Sequence, residues 1–212
     1  MELSDKQKAK LADGREYRSM PLMSNSPAAN DTECIVTGYA TTYNQPYVLY
    51  EDESYRLLEQ VAPGAFDGCD MTDTLFQFNH AGRVYARTKN NTLDLLSDEH
   101  GLKVTANLGG TDIGRQLYQE IQGGYIDKMS FGFRVLEDTR ETTTDHETGV
   151  VTCLRTIKKI KKLYDVSAVD QPANDMTSIS ARSLLDGEIE RAEAERLDRE
   201  RIRIKLYMEA TK

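Results

Sequence analysis

Between Met129 and Val135 the apolar residues fall at every second position: Met129, Phe131, Phe133 and Val135 alternate with Ser130, Gly132 and Arg134. A helix would scatter those four side chains around its circumference, whereas a β-strand gathers them on one face and turns the other three to the opposite face. The stretch therefore demands a sheet with a buried side. It also mounts a serine hydroxyl on a stiff element, with a glycine two positions on, where the missing Cβ leaves room for another backbone or a substrate to approach. Alternation shows a strand, not a reaction; an ordinary strand serine has the same pattern.

The rest of the chain reads as further strands around this one. Cys34–Ala40 is β-branched and aromatic and is broken by Asn44-Gln45-Pro46. Tyr55–Val61 is a second strand, followed by a proline-opened turn over Ala62–Asp67. Thr74–His80 ends on a histidine, with Ala81-Gly82-Arg83 turning the chain after it. Strands over Thr92–Leu96 and Leu102–Leu108 flank a hairpin turn at Asp98–Gly101. Thr111 caps a helix whose Ile113, Leu117 and Ile121 recur every four residues until Gly123-Gly124 stops it. Beyond the Ser130 strand, Thr142–Gly149 is a polar turn, Val150–Leu154 resumes a strand, and Leu163–Val169 places Asp165 and Ser167 on one face with Tyr164, Val166 and Ala168 on the other. Pro172 ends that strand.

The ends differ from this middle. Residues 1–32 are polar and culminate in Ser24–Asp31, which predicts an N-terminal tail. Residues 182–212 are rich in Glu, Arg, Leu, Ile and Ala, which predicts a long charged helix with an imperfect apolar stripe. One folded domain over 33–181 is the expectation, and 212 residues suffice for a core of ordinary size.

Charge and residue usage exclude several function classes. A net charge of −8 argues against nucleic-acid binding driven by the whole protein's field. Arg155–Lys162 is the densest basic run, read as a solvated edge strand whose lysines discourage strand addition, or as a local nucleic-acid or acidic-protein contact. The three cysteines, Cys34, Cys69 and Cys153, lack C-x-x-C spacing, so no disulfide framework, zinc site or cysteine nucleophile is expected. No apolar run reaches a membrane span's length and no signal-peptide core is present, which points to the cytoplasm. Phosphate-loop, dinucleotide and metal-helix motifs are absent, so neither cofactor nor metal is expected.

Acyl transfer needs a hydroxyl nucleophile, an imidazole to take its proton and a third group to fix the imidazole. Ser130, His80 and Asp165, each on a strand or strand end, supply those types, while His100 and His146 fall in polar turns. A core-edge histidine, a strand serine and a surface aspartate would supply the same types with no chemistry.

Order along the chain adds a second line of reasoning. Gly38-Tyr39-Ala40, then Val61–Phe66 with Pro63-Gly64-Ala65, then Phe78-Asn79-His80, Gly101-Leu102 with Val104, Met129–Phe133, and Leu163-Tyr164-Asp165-Val166-Ser167 before Pro172-Ala173 together resemble the prohead proteases of HK97-like tailed bacteriophages. The resemblance implies a serine endopeptidase of capsid maturation. It implies an α+β, β-rich fold like that of the herpesvirus assemblin proteases, with an antiparallel β-barrel core and surrounding helices, here followed by the charged C-terminal helix. It puts the family's histidine on His80 and its serine on Ser130. The third position often carries glutamate in that family, and here holds Asp165, one methylene shorter. By analogy with assemblin-like enzymes, the backbone of Ala173 and Asn174 is the candidate oxyanion donor. Implied partners are the major capsid protein or its scaffolding segment as substrate, and the enzyme itself, inside the prohead in the host cytoplasm. A non-catalytic capsid scaffold or assembly module retaining the barrel is the alternative, and a nucleic-acid binder using the basic strand a third.

Overall fold

A computed structural model describes residues 13–21 and 34–170. The strands are β1 (Glu16–Pro21), β2 (Ile35–Thr42), β3 (Tyr47–Glu51), β4 (Tyr55–Val61), β5 (Leu75–Phe78), β6 (Ala81–Arg87), β7 (Leu93–Ser97), β8 (Gly101–Asn107), β9 (Lys128–Thr144) and β10 (Val151–Val169). One α-helix, α1 (Asp112–Gln122), precedes β9; the Thr111 hydroxyl accepts from Gly114 N–H, and the helix gives way at Gly123.

Two sheets share one core. The larger has seven strands in the order β1-β9-β10-β4-β3, with β5 also on β10 and β6 on β5; the smaller is β2-β8-β7. β10 organises the larger sheet because it is nineteen residues long and serves three partners. Along one edge it runs antiparallel to β9. Along the other it takes β4 parallel over Val151–Ile157 and then β5 parallel over Asp165–Ala168. Between them the Ala62–Asp70 turn segment bonds to the same edge, through Ile160 N–H to Ala65 O at 2.8 Å and Leu163 N–H to Asp70 O at 3.1 Å. The apolar face of β9 and β10, with Met129, Phe131, Phe133, Leu163, Val166 and Ala168, packs on Val36, Ala40, Leu102, Val104 and Ala106 of the smaller sheet and on Leu117 and Tyr118 of α1.

Several expectations are corrected. Among the described residues the sheets do not close into a barrel: the smaller sheet meets the larger by the isolated bridge Tyr43 to Val61 rather than by a ladder. Nor is the large sheet wholly antiparallel, since β4 and β5 both lie parallel to β10. The two strands expected over Val150–Leu154 and Leu163–Val169 are one strand, whose bulges interrupt the alternation. One bulge falls at Tyr164, between Leu163 opposite Phe133 and Asp165 opposite Gly132. Tyr164 is thereby turned out of the core, and its ring stacks under the Arg15 guanidinium at 3.5 Å.

The basic run is not an edge. It lies mid-sheet in β10, and Arg155, 4% exposed, is held by Glu16, Glu59 and Asp138. Only Lys158 and Lys161 face solvent outright, and Lys162 pairs with Asp70 at 2.7 Å. Residues Glu16–Pro21, expected within a polar tail, form β1, which lies antiparallel along β9 with Ser19 opposite Ser130. Its anchor is electrostatic: Arg18 Nε lies 2.5 Å from Glu59 Oε1, and Glu16 bridges Arg18 and Arg155 at 2.7 and 2.6 Å. Charges desolvated in this way hold only as a complete set. The C-terminal helix expected over 182–212 lies outside the described residues.

Candidate active site

The polar face of β9 is buried as deeply as its apolar one. Ser130 is fully buried, and on β10, directly across, so is Ser167; Asp165 stands opposite Gly132. These residues share a face because opposite positions in an antiparallel pair project the same way. The face is covered by Tyr17 from β1 and by His80, both also buried.

His80 reaches it from a hairpin turn. Phe78 and Ala81 pair across β5 and β6, so the two-residue loop is Asn79-His80, and both residues have left-handed backbone, with φ of 50° and 55°. This is the pattern of a type I′ turn, which matches the twist of the flanking strands. Asparagine tolerates that conformation; histidine does so at a cost, of a kind that accumulates at functional sites. Asn79 ties the turn to the end of β10 through its N–H to Ala168 O at 3.0 Å. The expected turn at Ala81–Arg83 lies instead within β6.

The imidazole bridges two strands. Its Nδ1 is 2.5 Å from Asp165 Oδ1 and its Nε2 is 2.6 Å from Ser130 Oγ. Asp165 spans the distance although it is a methylene shorter than glutamate, because its carboxylate lies over Gly132. Ser167 Oγ donates to the same Oδ1 at 2.9 Å. The Tyr17 ring meets the imidazole edge-on, with centroids 4.5 Å apart. Burial, and then the Asp165 charge, push the Tyr17 hydroxyl well above its ordinary range, so it stays protonated at any working pH.

Ser130 has one hydroxyl hydrogen and two acceptors for it: His80 Nε2, and the Arg18 carbonyl, whose oxygen lies 2.7 Å from Oγ. With neutral imidazole and Nδ1–H directed at Asp165, Nε2 accepts the hydroxyl hydrogen, the arrangement from which a serine can act as a nucleophile. With imidazolium, Nε2–H donates to Oγ and the hydroxyl hydrogen goes to Arg18 instead. Only the neutral imidazole can accept the Ser130 proton.

Of the three residues singled out in the sequence, His80 thus lies within hydrogen-bonding distance of both Ser130 and Asp165. Of the other histidines, His100 is exposed in the β7–β8 turn near Asp98 and Glu99, and His146 is exposed beyond β9. Ala173 and Asn174 lie outside the described residues. Tyr17 and Arg18 carried no signal in the sequence, since their place depends on β1 pairing with a strand more than a hundred residues away. The space over Gly132, expected to admit a backbone or substrate, is filled by Asp165 and Tyr17. Among the described residues no cluster of His, Cys, Asp and Glu is arranged to hold a metal, and no helix is long and apolar enough to cross a membrane.

Comparison with protein families matches residues 19–190 to the model described as caudovirus prohead serine protease. No curated protein and no solved structure matches.

Proposed function

The chain belongs to the caudovirus prohead serine proteases, and on that premise we propose that it cleaves the scaffolding segment of the major capsid protein, and itself, inside the immature capsid in the host cytoplasm. The observation that carries this reading is the single imidazole of His80, with Asp165 at one nitrogen and Ser130 at the other. In this reading Ser130 Oγ attacks the peptide carbonyl as His80 Nε2 takes its proton. Asp165 keeps Nδ1 protonated and stabilises the imidazolium that forms. His80 then returns the proton to the leaving amine, and water, activated by the same nitrogen, hydrolyses the acyl-enzyme. The oxyanion draws on backbone N–H groups, for which Ala173 and Asn174 are the candidates.

Coexpression with the capsid protein tests the proposal. Ser130→Ala should leave the melting temperature close to that of the wild type while full-length capsid protein accumulates. Mass spectrometry should find self-cleavage products for the wild type and none for the variant. Capsid protein cut at the same positions by the folded Ser130→Ala variant would refute the assignment.

A further inference from the structure

Ser167 lies two residues beyond Asp165 on β10 and directly across from Ser130 on β9. It is fully buried, and its hydroxyl donates to Asp165 Oδ1, the oxygen that faces His80 Nδ1. Two donors converging on one carboxylate oxygen fix its position more tightly than either alone. The second oxygen lies over Gly132, 2.6 Å from where a Cβ would stand. A hydrogen bond to a carboxylate also draws charge from it and weakens its hold on a neighbouring cation.

We propose that Ser167 is a positioning residue for peptide hydrolysis: it keeps Asp165 Oδ1 in line with His80 Nδ1 and moderates the carboxylate's grip on the imidazolium. The proposal rests on the roles given above to Ser130, His80 and Asp165. Several groups among the described residues face that pair. From β1 comes Tyr17, and just before that strand lies Arg15, which acts on the Tyr17 hydroxyl. From β9 come Ser130 and Gly132, and from β5 comes Gln77, the neutral partner of Ser167. Burial and the neighbouring Asp165 charge keep Tyr17 protonated across the working range, so it adds no charge of its own beside the imidazole and the carboxylate.

Ser167→Ala removes the donor and leaves the carboxylate over Gly132. The expected result is a fall of about tenfold in kcat/KM for capsid protein, carried by kcat with KM unchanged. The acid limb of the rate profile moves to higher pH, because the less encumbered carboxylate holds the imidazolium more firmly. Ser167→Thr, which keeps the hydroxyl, restores both. If the alanine variant does not fold, Ser167→Cys, a weaker donor, shifts the limb in the same direction by less. A second readout needs no catalysis: imidazole NMR in a Ser130→Ala background should show the titration midpoint of His80 moving upward when Ser167→Ala is added. An acid limb and an imidazole titration that stay in place, whatever happens to the melting temperature, would overturn the proposal. Cleavage by Ser130→Ala alone would overturn the reading of the site instead, while the NMR titration would still decide the role of Ser167.

Discussion

The Asp165 carboxylate occupies the space over Gly132 in which any other residue would carry its side chain: a Cβ there would stand 2.6 Å from Asp165 Oδ2 and 2.8 Å from Tyr17 Cε1. Both obstacles belong to side chains pinned by neighbours, Asp165 by His80 and Ser167, and Tyr17, on β1, by its complete burial. Gly132→Ala therefore pushes the carboxylate off His80 Nδ1. A shift of about 1 Å in a catalytic group costs on the order of a hundredfold in rate, and overpacking a tight interior costs about 1–3 kcal/mol. Kinetics and urea unfolding of Gly132→Ala should show both losses. Wild-type kcat in that variant would mean that the carboxylate has room the structure does not provide.

His80 occupies a turn position that favours glycine. His80→Ala and His80→Gly remove the same imidazole and strand the same partners, Ser130 and Asp165, so the difference between them isolates the backbone. At a φ of 55° an alanine Cβ meets the strain from which glycine is free, worth about 1 kcal/mol. Both variants should be inactive toward capsid protein, with His80→Gly the more stable in urea by about that amount. Equal stability would show that the loop relaxes out of the left-handed conformation once the ring is gone.

Glu16 sits between Arg18 and Arg155. Burial pushes its carboxyl up, and the two guanidiniums more than reverse that, leaving it below the ordinary value of 4.5. A group whose folded value is depressed contributes stability above its unfolded value and loses it as the pH falls through the folded one. Glu16→Gln should therefore cost on the order of 3 kcal/mol at neutral pH, where it breaks a buried ion network. The gap between wild type and variant should close in urea titrations repeated at falling pH below 4.5. A gap that persists undiminished into strong acid would show that the contribution of Glu16 is packing, not charge.

The parts of the molecule with a local periodic signal were legible in the sequence. Strands β4, β7 and β8, the first part of β9 and helix α1 fall where alternation, turn residues and the Thr111 cap predict them; β9 itself runs on to Thr144, so Thr142–Thr144, expected in a polar turn, are strand residues paired with β10. The residues brought together around His80 were legible as types and as motifs in order. What escaped depends on complementarity over distance. β1 has no alternation to announce it; Arg18 is buried because Glu59 waits 41 residues away. The basic run looks like a solvated edge until Arg155 is matched with Glu16, Glu59 and Asp138. β10 reads as two strands because its bulges put Tyr164 out of phase with Val166. The histidine turn was misplaced by a few residues because Asn-His lacks the glycine that marks most turns of its kind.

Asp165→Asn tests the role proposed for the carboxylate. An amide at this position has two orientations. With its NH2 toward His80, it would force the imidazole into the tautomer that carries hydrogen on Nε2, and the Ser130 proton would have no acceptor; that kind of loss reaches about 10⁴ in kcat. Here the Oδ1 site is met by two donors, Ser167 Oγ at 2.9 Å and His80 Nδ1–H, so the amide oxygen is held there and the productive tautomer survives. What is lost is the negative charge that stabilises the imidazolium. The variant should therefore fall by about 10²–10³ in kcat/KM, with the acid limb displaced to lower pH because the cation has lost its anionic partner. Adding Ser167→Ala frees the amide to flip, and the double variant should fall by a further factor of about ten or more. If Asp165→Asn alone is already as inactive as the double variant, the amide has flipped despite Ser167, and the carboxylate is oriented by something other than that hydroxyl.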